Sequence, residues 1–169
     1  MPSSLGYWPF VAIVIVSACA PRRADTTPQE CAAMTASDVR HISVAIDRPP
    51  REVYAFASQP ENLPRWARGL ATAIAQQGGE WIAQSAMGAV KVRFAPRNDF
   101  GVLDHDVTLE SGVSVHNPMR VVAREGGGSE ITFTLFRRPG VSDADFEADA
   151  GAVQRDLRAL KNVLEHGTP

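Results

Sequence analysis

Short runs of alternating apolar and polar residues, separated by glycine-containing turns, recur between Leu70 and Arg137. The turns are Gly78-Gly79, Met87-Gly88, Ser111-Gly112 and Gly126-Gly127-Gly128. A period of two places successive side chains on opposite faces of a strand, and turns this short join antiparallel neighbours. The pattern therefore predicts one meandering antiparallel sheet.

Seven strands are predicted in total. The first covers 41–46, and the other six cover 70–76, 81–85, 90–95, 103–109, 113–124 and 131–137. Between the first two strands, Pro49 and Pro50 can begin a helix, because the first helical turn does not use the amide hydrogens that proline lacks. A second short helix is predicted over 61–68, ending at Gly69.

The last part of the chain has the pattern of a single long helix. Its apolar residues recur at helical spacing and form one stripe: Phe146, Val153, Leu157, Leu160 and Leu164. Ser142 is a good N-cap and Gly167 a good stop, which predicts a helix over 142–165. The acidic residues near its start, Asp149 among them, are interpreted as partners of the helix dipole. A curved sheet around this helix would leave a cavity between the two layers, and the predicted fold class is α+β.

One of the strands has a histidine among its aliphatic residues. Leu103, His105, Val107 and Leu109 alternate with Asp104, Asp106, Thr108 and Glu110. A register shifted by one residue would bury three carboxylates together at a prohibitive cost, so we expect His105 to face the cavity. Three roles are open for it: hydrogen-bond partner of a ligand, general base, or neutral structural histidine.

Two segments of the chain resemble the SRPBCC superfamily, the group that includes the START, polyketide cyclase/dehydrase and Bet v1-like proteins. They are "PPREVYAFASQPENLPRW" at 49–66 and "FTLFRRPGVSDADFEADAGAVQRDLRALKNVLE" at 133–165. The resemblance covers 41–165. It implies a helix-grip fold, in which a curved seven-stranded sheet surrounds the long C-terminal helix. It also implies that lipids, quinones or polyketides bind in the cavity, although only some members are catalysts.

Seven side chains are candidates for contact with a ligand in this cavity: Trp66, Phe94, His105, Val115, Met119, Phe133 and Arg137. Trp66 is interpreted either as an apolar lid at the cavity mouth or as an anchor between its helix and the core. Arg137 is interpreted either as a partner of a carboxylate or phosphate or, more simply, as a solvated residue at a strand end.

Two further interpretations concern the faces of the sheet. Pro118 cannot donate to a ladder and is expected to mark a bulge. The inward set around it is predicted to be Val113, Val115, Met119 and Val121. On the outer face, Asp104 and Asp106 are interpreted as a solvated surface rather than as a pair of catalytic carboxylates.

The composition argues against several classes of function. The chain has 169 residues, a net charge of −2 and no long basic run, so nucleic acid is not an expected partner. Its four histidines and two cysteines lack the spacing of metal ligands, and we predict no metal and no cofactor. The sequence also lacks a nucleophile motif and a phosphate-binding loop.

The leading hypothesis is a noncatalytic protein that binds or transports a hydrophobic small molecule, such as a lipid, a quinone or a polyketide-like compound. One alternative is an enzyme of cyclase or dehydrase type that uses His105 as a general base. The other alternative is a protein-interaction module with a filled core. Apolar contacts encode the size of a ligand better than its identity, so the sequence does not identify the ligand.

The amino terminus resembles a bacterial lipoprotein signal. An apolar run at 5–18 has the length of a signal-peptide core and leads into "VSAC", in which Cys19 would be acylated. We therefore predict a signal peptide over 1–18, a flexible tether over 19–38 and a ligand-binding domain over 39–166. The protein would be held by lipid at the bacterial cell envelope. The alternative is translation from Met34, which would leave the protein in the cytoplasm.

Replacing Cys19 with Ala tests the lipid anchor. We expect the variant to lose membrane association, because acyl chains on a thioether and on the new amine hold a protein firmly only together. Cell fractionation measures the loss, and Cys31→Ala is the matched control in the tether. Unchanged membrane association of the Cys19 variant, or a native chain that begins at Met34, would contradict the prediction.

Overall fold

A computed structural model of the protein describes residues 38–167. The predicted signal peptide, Cys19 and the alternative start at Met34 lie outside the described residues. In chain order the elements are β1 (Val39–Ile46), α1 (Pro50–Ala57), a 3₁₀ turn (Pro60–Asn62), α2 (Leu63–Trp66), β2 (Ala73–Gln77), β3 (Glu80–Ser85), β4 (Gly88–Phe94), β5 (His105–Leu109), β6 (Ser114–Asn117), β7 (Met119–Ala123), β8 (Ser129–Phe136) and α3 (Asp143–His166). The α+β class, the two short helices after the first strand and the long C-terminal helix are confirmed.

All the strand pairs of this range are antiparallel, as predicted, but they form two sheets instead of one. The first has the order β1-β8-β7 and the second the order β2-β3-β4-β5-β6. The strand predicted over 113–124 is divided at Pro118, because the missing amide hydrogen of proline interrupts the ladder. β6 pairs with β5, whereas β7 pairs with β8. One extended segment therefore connects the two sheets, and the seven predicted strands become eight.

The bulge predicted at Pro118 is wrong. His105 pairs with Asn117 before the proline and Val102 bridges Arg120 after it, in one continuous antiparallel register. Since no extra residue is inserted, the alternation of faces continues through Pro118.

Unbroken alternation decides which side chains of β6 and β7 face inward. Val115, Asn117 and Met119 line the space in front of the sheet, and Val121 is buried. The prediction that Val113 faces inward with Val115, Met119 and Val121 is wrong, because Val113 is 47% exposed between β5 and β6. Asn117 thus joins the inner face beside His105.

The helix α3 has the capped ends that the sequence predicts. Ser142 Oγ accepts a hydrogen bond from the Asp145 N–H at 3.1 Å, and Gly167 ends the helix in the left-handed region with φ 73°. Phe146 and Leu160 of its apolar stripe are buried. The helix packs on β1 and on α2, so its stripe covers the inner face of the sheet.

The carboxyl end of α3 is fastened to the end of β1. Arg48 donates hydrogen bonds to the Leu164 and Glu165 carbonyl oxygens at 2.9 and 3.2 Å, which satisfies acceptors that a helix end leaves without partners. Lys161 Nζ donates to the Ala45 carbonyl oxygen at 2.9 Å. These bonds hold helix and sheet together at this end.

The two aspartates on the outer face belong to an ion-pair network and are not simply solvated. Arg120 pairs with Asp104, while Asp106 accepts hydrogen bonds from Arg93 at 2.9 Å and from His116 at 2.8 Å. The bonds from Arg93 and His116 lower the pKa of Asp106. The correction follows from cross-strand pairing, which brings basic side chains of β4, β6 and β7 opposite the acids.

Substituting Gly101 tests the close contact between the 97–101 loop and β7. Gly101 has φ 70°, and a Cβ there would overlap the Val121 carbonyl oxygen. Gly79 is the matched control, because its φ is 85° but no atom of the described part of the chain lies within 4 Å of its position for a Cβ. Both alanine variants bear the strain of a positive φ, roughly 1 kcal/mol. We expect Gly101→Ala to lower the free energy of unfolding by about 1–3 kcal/mol more than Gly79→Ala. Equal urea midpoints for the two variants would contradict this contact.

Candidate functional site

A cavity of about 370 Å³ lies between the inner face of the sheets and α3. Its lining is mostly apolar, with Val107 and Leu109 from β5, Met119 from β7 and Val153 and Leu157 from α3. Small-molecule sites have volumes of roughly 300–1,000 Å³ and combine apolar walls with a few placed polar groups. The cavity has the size and lining of such a site.

The cavity extends from the turns at one end of the sheet into the interior. Its rim includes Met87 between β3 and β4, Ser114 at the start of β6 and Val141 in the loop before α3. His105, the first residue of β5, lies at the opposite end of that strand from this rim. A ligand that enters past the turns would reach His105 last.

His105 is buried in the cavity wall, 5% exposed, as the alternation of its strand predicts. Its ring lies between two phenylalanines, with centroid distances of 5.0 Å to Phe94 and 6.2 Å to Phe133. The Nδ1–H donates a hydrogen bond to the Leu103 carbonyl oxygen at 3.1 Å. Aromatic packing and this bond together hold the imidazole in one orientation.

Burial also sets the protonation of this histidine. Desolvation lowers the pKa of His105 from 6.5 to about 4, against a smaller opposing effect of the Leu103 hydrogen bond. The imidazole is therefore neutral at physiological pH. Because a carbonyl oxygen can only accept, the ring proton is on Nδ1, and Nε2 is an acceptor without a hydrogen-bond partner among the described residues.

Asp156 is a second polar group of the cavity and is not among the residues predicted from the sequence. It projects from α3 toward Gly69, whose backbone N–H donates to the carboxyl group. Burial raises the pKa of Asp156 from 3.8 to about 6. A signal for it exists, because Asp156 lies three residues after Val153 and four before Leu160, within the apolar stripe.

Asp149 occupies the same inner face of α3, two turns nearer its start. It was interpreted as a partner of the helix dipole, but the structure places it in the cavity lining. Burial raises the pKa of Asp149, and the nearby charge of Arg138 partly opposes the shift. The stripe of α3 is thus interrupted by two carboxyl groups, one near the rim and one deeper.

Six of the seven candidate residues line this one cavity: Trp66, His105, Val115, Met119, Phe133 and Arg137. Phe94 does not, because it packs against the His105 ring and lines a second, smaller cavity with Tyr54 and Leu103. Trp66 is 4% exposed and belongs to the core, which fits an anchor and not an exposed lid.

Arg137 lies at the rim with its charge already compensated. Its guanidinium group pairs with Asp143 at the start of α3 and stacks over the Phe146 ring at 5.0 Å. Arg40 lies over the same ring at 5.6 Å and pairs with Glu147. The anion-binding role considered for Arg137 would therefore compete with an existing ion pair.

Two other features bear on the chemistry of the domain. Within residues 38–167, no three His, Cys, Asp or Glu side chains are grouped to hold a metal ion. In the same range, no helix combines the length and apolar character needed to cross a bilayer.

The buried imidazole and the buried carboxyl group have opposite effects on stability as the pH falls. The folded pKa of His105, about 4, is below its ordinary 6.5, so the unfolded chain takes up this proton first and stability is lost between pH 6.5 and 4. The folded pKa of Asp156, about 6, is above its ordinary 3.8, so the folded chain takes up this proton first and stability is gained between pH 6 and 3.8. Between pH 7 and pH 5 the two effects are roughly 2 and 1 kcal/mol and largely offset each other.

Single substitutions should expose each effect. As the pH falls from 7 to 5, we expect the free energy of unfolding of His105→Leu to rise relative to that of the wild type. That of Asp156→Asn should fall relative to the wild type over the same range. Urea unfolding at the two pH values measures the differences, with His41→Leu as the control for an exposed histidine. If both variants keep a constant stability difference from the wild type, neither group is buried as described.

Comparison with known proteins supports the fold and identifies the family. Two solved structures of similar fold are the protein XoxI from Bacillus cereus and the Aha1 dimer from Colwellia psychrerythraea. The XoxI structure has a TM-score of 0.60 at 16% sequence identity, and the match covers 76% of this chain and 96% of the XoxI chain. The Aha1 structure has a TM-score of 0.61 at 14% sequence identity, and the match covers 78% of this chain and 98% of the Aha1 chain. At these identities the likeness concerns the fold.

A third similar structure, DynU16 from the dynemicin biosynthetic locus, has a TM-score of 0.60 at 16% identity. The match covers 78% of this chain and 49% of DynU16. No curated protein matches the sequence. The model of the family described as polyketide cyclase / dehydrase and lipid transport matches residues 40–165, nearly the whole described domain. The chain belongs to this family, within the SRPBCC superfamily that its sequence resembles.

Proposed function

We propose that the domain binds and carries a hydrophobic small molecule in the cavity between the sheets and α3, without transforming it. The family as a whole points to hydrophobic ligands. The observation that carries the proposal for this chain is the 370 Å³ cavity, with its apolar lining and one neutral, fixed histidine in its wall. A protein-interaction module with a filled core would have no use for such a space.

The strength of binding would come mainly from burial of apolar surface. Each 100 Å² of ligand surface removed from water contributes roughly 2.5 kcal/mol before the entropic cost of association is subtracted. The walls are built from packed strands and a capped helix, so little ordering should be needed on binding. This favours a carrier whose cavity is formed before the ligand arrives.

Catalysis of the cyclase or dehydrase type is the second candidate. It is favoured by one observation, the Nε2 of His105, which has no hydrogen-bond partner among residues 38–167 and belongs to a residue of the cavity wall. A pKa of about 4 makes the imidazole a weak base at neutral pH, because general bases work best with a pKa near the operating pH. Binding alone is therefore the better-supported function.

Attachment to the cell envelope through Cys19 is part of the proposal. The Asp38 carbonyl oxygen accepts a hydrogen bond from the Arg137 N–H at 2.7 Å, beside the rim of the cavity. A tether that precedes β1 would thus attach on the side of the rim. Such an attachment would keep the cavity entrance near the membrane from which an apolar ligand could come.

Filling the cavity tests the function. We expect Val153→Trp to weaken binding of the neutral fluorescent probe N-phenyl-1-naphthylamine by tenfold or more, because Val153 lines the cavity. Val122→Trp is the matched control, since Val122 is 53% exposed on β7. Fluorescence titration measures the affinity, and thermal unfolding checks that both variants fold. Probe binding that is equal in the two variants, or absent from the wild type, would overturn the proposal.

A further inference from the structure

We propose that the cavity selects apolar ligands that carry hydrogen-bond donors, such as hydroxyl or amine groups, and rejects ligands with an anionic head. The inference rests on the proposed function and specifies the ligand class of the same site. It follows from two acceptors of the wall, His105 and the carboxyl group of Asp156, while the charge of Arg137 at the rim is already paired with Asp143.

The first acceptor is Nε2 of His105. The Leu103 carbonyl oxygen holds the proton on Nδ1 at 3.1 Å, so the other ring nitrogen presents a lone pair. The rings of Phe94 and Phe133 restrict reorientation of the imidazole. A ligand hydroxyl can donate to this nitrogen, whereas a ligand carboxylate there would place lone pair against lone pair.

The second acceptor is the carboxyl group of Asp156, in the α3 wall. The Gly69 N–H uses part of its capacity, and no side-chain donor among the described residues bonds to it. A carboxylate has about four lone-pair sites, so it can accept further bonds from a ligand. A ligand anion near Asp156 would instead meet a like charge in a partly desolvated site, which is costly.

The basic side chains of the lining do not offset this preference. Arg137 pairs with Asp143, and the charge of Arg138 acts on Asp149 at the same rim. His116 points to the outer face, where it bonds Asp106. An anionic head at Arg137 would have to compete with Asp143, and one at Arg138 would lie near the carboxyl group of Asp149.

The neutral polar groups of the lining can serve either kind of ligand. Asn117, opposite His105, donates one amide hydrogen to the Val115 carbonyl oxygen at 3.3 Å and keeps an acceptor oxygen and a second hydrogen. The Ser114 hydroxyl bonds Thr108 at 3.1 Å. The indole N–H of Trp66 has no hydrogen-bond partner among the described residues and could donate to a ligand hydroxyl oxygen or to an anion alike. Because none of these neutral groups distinguishes the two kinds of ligand, the discrimination falls to His105 and Asp156.

Three ligands with one chain length test the inference on the wild-type domain. Dodecan-1-ol, dodecylamine and dodecanoate are used to displace N-phenyl-1-naphthylamine at pH 7.5. We expect the alcohol and the amine to bind at least tenfold more tightly than dodecanoate. Dodecanoate that binds as tightly as dodecan-1-ol would overturn the inference and leave the proposed function intact. Failure of the probe and of all three ligands to bind would overturn the proposed function itself.

Two variants assign the selectivity to named groups. His105→Phe keeps an aromatic ring between the two phenylalanines and removes the acceptor, so dodecan-1-ol should bind about 5–10-fold more weakly, the loss of one hydrogen bond. Asp156→Asn should lower the affinity for dodecylamine at least fivefold and should not lower the affinity for dodecanoate. His41→Phe, a change on β1 outside the cavity lining, is the control. Unchanged alcohol affinity in the His105 variant together with unchanged amine affinity in the Asp156 variant would overturn the assignment.

Discussion

The packing of α3 on the inner face of the sheets is the constraint on which the rest of the structure depends. The helix is held at its start by the Ser142 cap and at its end by the bonds of Arg48 to its last carbonyl oxygens. Its large apolar residues, Phe146 and Leu160 among them, fill the space near the two ends. Between them the inner face carries Ala152 and Asp156 beside Val153 and Leu157, and this mixture of small, polar and apolar side chains lines the cavity.

The polar groups of the cavity are costly for the fold, and their burial gives them their properties. Desolvation disfavours a charged imidazole in this wall, so His105 stays neutral and its Nε2 is an acceptor toward the cavity. The same desolvation makes Asp156 easier to protonate than an exposed carboxyl group. Natural cores usually satisfy such groups with internal partners. A site that leaves acceptors facing an apolar space is suited to a ligand that supplies donors.

The outer face of the sheet shows the opposite solution to the same electrostatic problem. There, each aspartate finds a basic partner on a neighbouring strand, Arg120 for Asp104 and Arg93 for Asp106. These pairs are near water and contribute little individually. They do, however, help to define which face of β5 is outside, and therefore that His105 is inside. The outer face of β5 thus carries an ion pair, whereas its inner face carries the histidine of the candidate site.

The sequence alone determined the elements and the facing of most strands, because both follow from local periodicity. Alternation placed His105 on the inner face, and the spacing from Phe146 to Leu164 predicted α3 to within one residue at each end. Capping and proline positions gave the helix starts for the same reason, since they act over a few neighbouring residues. The family resemblance lay in these same segments.

Only the tertiary structure decided which polar groups share the cavity. Asp156 joins it because α3 lies close to Gly69, and Phe94 leaves it because the His105 ring stands between them. The unbroken register at Pro118 depends on how β6 pairs with β5 and β7 with β8, which the alternation within the segment itself does not fix. The pairing of Arg137 with Asp143 likewise depends on how the loop before α3 turns. Local patterns state which face a side chain is on, whereas the neighbours it meets there are set by contacts between distant segments.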